Sequence, residues 1–187
     1  MVLLQDLTAA MFQQTFRDVD TRMLGVDLDD QLIQRAKTQF TVDDRLEFRT
    51  LDLMSETSAA ELRSYLRSCG DERPVFDLVT VFSVTMWIHL NHGDQGLEQF
   101  IRTLCSLSRY ILVEPQPWRC YQTAARRMRK LGQEEFSQMK MIEMRGPGVD
   151  SQIVELFIKE GLDIVRDFGE STWKRKLVLF KQRDIKK

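Results

Sequence analysis

The chain has 187 residues, 43% apolar and 29% charged, with a formal net charge of −1. These are globular values for one domain of ordinary size, and they exclude a global basic field, so nucleic-acid contact must rest on a local patch. The three cysteines, Cys69, Cys105 and Cys120, match no zinc or disulfide spacing and read as reduced, intracellular thiols; the first residues are too polar for a secretory leader, and no run of about 18 apolar residues spans a membrane.

In chain order, residues 6–16 read as a helix with Asp6 at its start. Residues 23–26 form a short strand ending in Asp27, and Asp29 or Asp30 caps a helix holding Leu32, Ile33 and Ala36. Residues 46–53 are the next strand, with Asp52 at its carboxyl end. Ser58 and Glu61 form a capping box for a helix with Leu62, Tyr65 and Leu66 inward, closed by Gly70. Residues 76–82, apolar and rich in β-branched side chains, read as a strand buried on both faces.

Beyond that strand, polar and aromatic groups crowd together: Ser83, Thr85, Trp87, His89, Asn91, His92 and Asp94, including both histidines of the chain. Ligands of open α/β sheets bind beyond the carboxyl ends of the strands, so chemistry is sought here first. The plainer alternative is a strand-to-helix loop. Asp94 caps the helix that follows, which carries Leu97, Phe100, Ile101 and Leu104 on one face. Residues 110–113 are a strand ending in Glu114, broken at Pro115-Gln116-Pro117-Trp118.

A basic helix with Arg119, Arg126, Arg127, Arg129 and Lys130 stops near Gly132, and residues 133–149 are irregular. Asp150 caps a helix with Ile153, Val154, Phe157 and Ile158, and Gly161 follows its last turn. Residues 162–168 and 176–180 are two strands joined by a loop containing Gly169 and Trp173. The architecture is α/β with a closing antiparallel hairpin. The alternation alone equally suits a methyltransferase sheet, a dehydrogenase or a flavodoxin-like fold.

The stretches SVTMWIHLNHGDQGL (83–97) and LVEPQPWRCY (112–121) resemble the Bicoid-interacting family of RNA 5′-phosphate methyltransferases, which includes the methylphosphate capping enzymes. Within it the chain is most similar to the branch that methylates RNA 5′-monophosphate ends. The resemblance implies a Rossmann-like class I methyltransferase sheet with a C-terminal antiparallel hairpin. It also implies S-adenosylmethionine as donor and an RNA 5′-phosphate oxygen as acceptor, the RNA being a small non-coding RNA, a tRNA or a precursor RNA. Asp27 sits where doubly wound folds place the carboxylate for ribose hydroxyls. Asp52 resembles the family's residue against the adenine amino group, with Leu53 beside the ring and Phe82 and Ser83 lining the pocket.

A phosphate oxygen is already anionic near neutral pH, so the acceptor needs placement and charge neutralisation rather than a general base. His89 and Asn91 are the candidate catalytic residues, and Trp118, Arg119, Arg126, Arg127 and Lys130 the candidate substrate contacts. For His89, bracing the loop is as good a reading as touching phosphate. The cations are either a solvated helix face or an RNA-backbone contact. Trp118 either packs on the sheet or stacks on a terminal base.

The family's first strand and Gly-rich turn have no counterpart ahead of residue 6. The expectation is therefore a single methyltransferase-like domain over 1–187, incomplete at its N-terminus and lacking the first central strand. Residues 23–26 and 76–82 would then either pair directly or keep unpaired edges, giving a poorly soluble chain. A non-catalytic RNA- or partner-binding protein and a small-molecule methyltransferase are the alternatives. The expected setting is a monomer without metal or membrane, in the cytoplasm and also the nucleus.

Overall fold

The computed structural model describes residues 21–40, 44–70, 75–134 and 136–183. The helix expected over 6–16 lies outside them. Contacts divide the chain into two compact units, 1–58 and 59–187.

In the first unit, β1 (Met23–Asp27) pairs in parallel with β2 (Leu46–Thr50), Asp27 facing Thr50. Between them runs α1 (Asp30–Gln39), whose N-cap is Asp29: its carboxylate accepts from the Gln31 amide at 2.9 Å. Ile33 and Ala36, on one face of α1, bury against Phe40, Leu46 and Phe48. The Phe40 and Phe48 rings stack at 5.9 Å. That ring explains Gly25: a Cβ there would lie 2.6 Å from Phe48. β2 is shorter than expected: it ends at Thr50, where the Leu51 amide makes the last ladder bond, to the Asp27 carbonyl at 2.9 Å.

The helix α2 (Ser58–Ser68) buries Leu62, Tyr65 and Leu66 as expected, and Gly70 follows it at φ 83°. The capping box is corrected, however. Ser58 Oγ donates to the carbonyls of Leu53 (3.1 Å) and Ser55 (2.9 Å), so the hydroxyl secures the preceding turn instead of accepting from the helix.

The second unit holds a four-stranded sheet in the order β3 (Phe76–Phe82), β4 (Ser108–Glu114), β6 (Lys176–Gln182), β5 (Leu162–Glu170). β3 and β4 are parallel, and the other two pairings antiparallel. The closing hairpin is therefore present, with Gly169 (φ 76°) inside a register shift of β5. The reading of β3 as buried on both faces is corrected. It borders its sheet, and Leu78 is 50% exposed. Among the described residues β1 and β3 do not pair with each other.

The stretch after β3 is not a loop. α3 (Thr85–Leu107) begins at once and is interrupted at Gly93 (φ 68°, ψ −171°), a conformation only glycine adopts freely. Leu97, Phe100, Ile101 and Leu104 bury as expected. α4 (Trp118–Lys130) follows β4, and α5 (Val149–Lys159) precedes β5. The cap of α5 is Gly148 at φ 97°, while Asp150 lies in its first turn and pairs with Lys176 at 3.3 Å, correcting the expected Asp150 cap.

Candidate functional site

The two stretches that carry the resemblance interlock at the carboxyl ends of β3 and β4. Ser83, held at φ 57°, donates to Glu114 Oε2 at 3.1 Å. Arg175, from the loop between β5 and β6, reaches both: its Nη1 lies 2.6 Å from Ser83 Oγ and 2.9 Å from Glu114 Oε2. Glu114 is buried, and Arg175 is its ion-pair partner there. One step along, Gln116 Oε1 accepts from the Thr85 hydroxyl (2.9 Å) and the Met86 amide (3.1 Å). The EPQP segment thus supplies the N-terminal cap that α3 lacks from its own flanking residue Val84.

The third link is His89. It is fully buried, with Nδ1 at 3.0 Å from the Tyr121 hydroxyl and Nε2 at 2.8 Å from Asp94 Oδ1. A carboxylate only accepts, so the Nε2 proton faces Asp94 and Nδ1 accepts from Tyr121. That assignment suits a neutral ring. Burial pushes the His89 pKa below the ordinary 6.5, against the opposing pull of Asp94. Burial also pushes the Tyr121 phenol well upward, so it stays a donor.

Asp94 additionally accepts from the amides of Glu143 (2.7 Å) and Met144 (3.2 Å), tying the irregular segment after α4 to the kink of α3. Desolvation opposes ionisation of Asp94, but these amides and His89 outweigh it and hold its carboxyl below the ordinary range. The residue expected to cap a helix is instead a hub between segments about fifty residues apart.

The expectation of phosphate contact by His89 is therefore corrected, because both ring nitrogens are committed in the interior. Asn91 is exposed on the outer face of α3, its Nδ2 donating to the Trp87 carbonyl at 2.8 Å. Trp118 stacks on Tyr121 at 5.1 Å and is half-buried, which corrects it as a free stacking face. The Ser83 hydroxyl donates to Glu114 and accepts from Arg175.

Arg119 donates from Nη2 to the carbonyls of Trp173 and Lys174, 2.7 Å each. Arg126, Arg127 and Lys130 are exposed on α4, which contains no acid, and none forms an ion pair within the described residues. Trp173, Lys174 and Arg175 were missed by sequence reasoning. The signal was present in STWKRK (171–176), an aromatic flanked by cations in a hairpin loop.

In the first unit, Asp27 is buried at the end of β1, its Oδ1 accepting from the Asp29 amide at 2.9 Å. Asp52, exposed just beyond β2, accepts from the Met54 amide at 2.8 Å, and Leu53 is half-buried beside it. Both acids leave the same end of one parallel ladder. Phe82, half-buried, ends β3 in the second unit.

Comparison with known proteins places these features in a family. The family model described as Bicoid-interacting protein 3 (Bin3) matches residues 76–182, which contain both interlocking stretches. The chain is 46% identical over 166 residues to the RNA 5′-monophosphate methyltransferase of Bos taurus, covering 88% of this chain and 56% of that one. It is 41% identical over 162 residues to the pre-miRNA 5′-monophosphate methyltransferase of Danio rerio, covering 86% and 63%. The chain thus spans between half and two thirds of the length of these relatives.

Among solved structures, the N-methyltransferase NodS from Bradyrhizobium japonicum WM9 in complex with S-adenosyl-L-homocysteine is similar in fold. Its TM-score is 0.53 at 12% identity, over 87% of this chain and 67% of that one. The fold is that of a class I methyltransferase, and the chain belongs to the Bicoid-interacting protein 3 (Bin3) family.

Proposed function

We propose that this protein transfers a methyl group from S-adenosylmethionine to a 5′-phosphate oxygen of RNA. The observation that carries the reading is the acid-free basic face of α4, which starts where EPQP locks onto α3 in a chain of net charge −1. A helix that starts at the carboxyl ends of the strands and carries exposed cations with no acid of its own suits a polyanion. The names of the relatives, RNA 5′-monophosphate and pre-miRNA 5′-monophosphate methyltransferase, support the same acceptor.

The acids of the first unit fit the donor. Carboxylates accept, and the ribose hydroxyls and adenine amino group donate. Asp27 and Asp52, each oriented by a backbone amide, would hold them, with Leu53 offering apolar surface to the ring. When bound, S-adenosylmethionine supplies an electrophilic methyl group on a sulfonium. The protein's part is then to neutralise and aim the phosphate, whose oxygen attacks in line without a base. Arg119, Arg126, Arg127 and Lys130 supply positive charge, and Asn91 an exposed amide. His89 acts at a distance, by fixing α3 against Tyr121.

Two titrations of the full chain test this. Calorimetry is expected to show S-adenosylmethionine binding that weakens at least about tenfold in Asp27→Ala, the loss of a buried hydrogen-bonding charge. Anisotropy is expected to show tighter binding of 5′-monophosphorylated RNA than of the same RNA with a 5′-hydroxyl. No donor binding, or no preference for the phosphate, would contradict the proposal.

A further inference from the structure

The candidate aromatic of the sequence, Trp118, is packed on Tyr121, but another indole is presented to solvent. Trp173 is 63% exposed at the tip of the β5–β6 hairpin. Its loop is firmly built. The Ser171 amide donates to the Arg175 carbonyl (2.8 Å), and the Lys174 amide to the Ser171 carbonyl (2.7 Å). Arg119 clamps the carbonyls of Trp173 and Lys174 from the first turn of α4, and Arg175 anchors the loop to Ser83 and Glu114. Lys174 holds φ 53°, a left-handed conformation that a loop sustains only when its surroundings fix it. A large aromatic surface is thus held rigidly beside the carboxyl ends of β3 and β4.

The surroundings identify the occupant. The residues flanking Trp173, Thr172 and Lys174, are exposed and polar, so at the tip of the hairpin the indole stands in a polar, cationic loop. Along α4, Arg119, Arg126 and Lys130 are spaced by seven and eleven residues, within about 20° of one line on the helix surface and about 16 Å from end to end. Cations in a row leading to an exposed aromatic are what a single strand of nucleic acid needs: charge for the backbone and a flat face for an unstacked base. Arg119 joins the two, being both the first cation of the row and the clamp on the Trp173 loop.

We propose that Trp173 is the stacking platform for the 5′-terminal base of a single-stranded RNA whose backbone follows the Arg119–Arg126–Lys130 row. This rests on the RNA 5′-end reading above and adds what holds the terminal nucleotide in register for its phosphate. Stacking tolerates any base, so the platform selects an unpaired end rather than a sequence.

The test uses the full chain, a fluorescent 5′-monophosphorylated single-stranded RNA, and the same RNA with an abasic first nucleotide. The wild type is expected to bind the abasic RNA about 5- to 150-fold more weakly. Trp173→Ala is expected to bind the intact RNA more weakly by a similar factor and to lose the distinction between the two. Trp173→Phe is expected to keep most of both. An exposed side chain leaves the melting temperature unchanged, which verifies that the variants fold. If the wild type binds the phosphorylated RNA but Trp173→Ala matches it on both RNAs, the platform is wrong and the methyl-transfer reading stands. If the wild type itself binds neither RNA, both fall.

Discussion

At the scale of single residues, His89 faces a carboxylate that accepts at Nε2 and a phenol that can donate at Nδ1, an arrangement the neutral imidazole satisfies and burial favours. Its lowered pKa makes stability depend on pH. Below the ordinary 6.5, the unfolded chain takes up the proton before the folded one does, so stability declines as pH falls and levels off once the folded ring titrates. Asp94, also depressed, acts in the same direction further down, below its ordinary 3.8. Urea unfolding at pH 7.5 and 5.5 is expected to show a loss in the wild type that is smaller in His89→Gln. A wild type as stable at pH 5.5 as at 7.5 would contradict the assignment. His89→Ala, which strands the Tyr121 hydroxyl and the Asp94 carboxylate around a cavity, should lose about 2–5 kcal/mol at neutral pH.

The elements divide by how their sequence signals arise. Helix faces were legible: the 3.6-residue spacing of Leu97, Phe100, Ile101 and Leu104, or of Ile33 and Ala36, predicts which side buries, and those residues bury. The hairpin and Gly161 were legible because turns use local chemistry. The first half of α3 was not, since its face points polar groups in two directions: His89 inward to Tyr121, Asn91 and His92 to solvent. Its buried side mixes Thr85 and His89 with Met86 and Leu90, which interrupts the apolar stripe that marks a helix. The caps of α3 and α5 and the role of Ser58 were missed for a related reason. The side chain nearest in sequence is not always the one that meets the orphan amides.

At this scale α4 gives the clearest expectation. Arg126, Arg127 and Lys130 are exposed and unpaired among the described residues, so replacing all three by Ala should leave the melting temperature within about a degree or two. The same variant should lower the salt dependence of single-stranded RNA binding by about two units of log–log slope. An unchanged slope would make the helix an ordinary solvated face.

For the molecule as a whole, the two stretches that signal the family interlock through side chains roughly thirty residues apart: Ser83 with Glu114, Thr85 and Met86 with Gln116, His89 with Tyr121. Arg175 joins from still farther along the chain. Neither spacing nor periodicity encodes such pairings, so sequence placed the right residues near the strand ends without showing how they hold one another. His89, Ser83 and Trp118 build the frame, and the exposed groups around it, Trp173 and the α4 cations, face outward. Arg175→Met would leave the Glu114 carboxylate buried without its partner, a change expected to destabilise the second unit by about 3–5 kcal/mol in chemical denaturation. Glu114→Gln paired with Arg175→Met should recover part of that loss, and no recovery would mean the ion pair is incidental.

The most direct measurement of the central claim is the position of the methyl group. The full chain is incubated with S-adenosylmethionine carrying a labelled methyl and with matched RNAs ending in a 5′-monophosphate or a 5′-hydroxyl. The RNA is then digested to nucleotides and the terminal one is weighed. The account requires label on the terminal nucleotide of the phosphorylated RNA alone, removed together with its phosphate. Label on internal nucleotides, equal label on the hydroxyl-ended RNA, or none on either would contradict it.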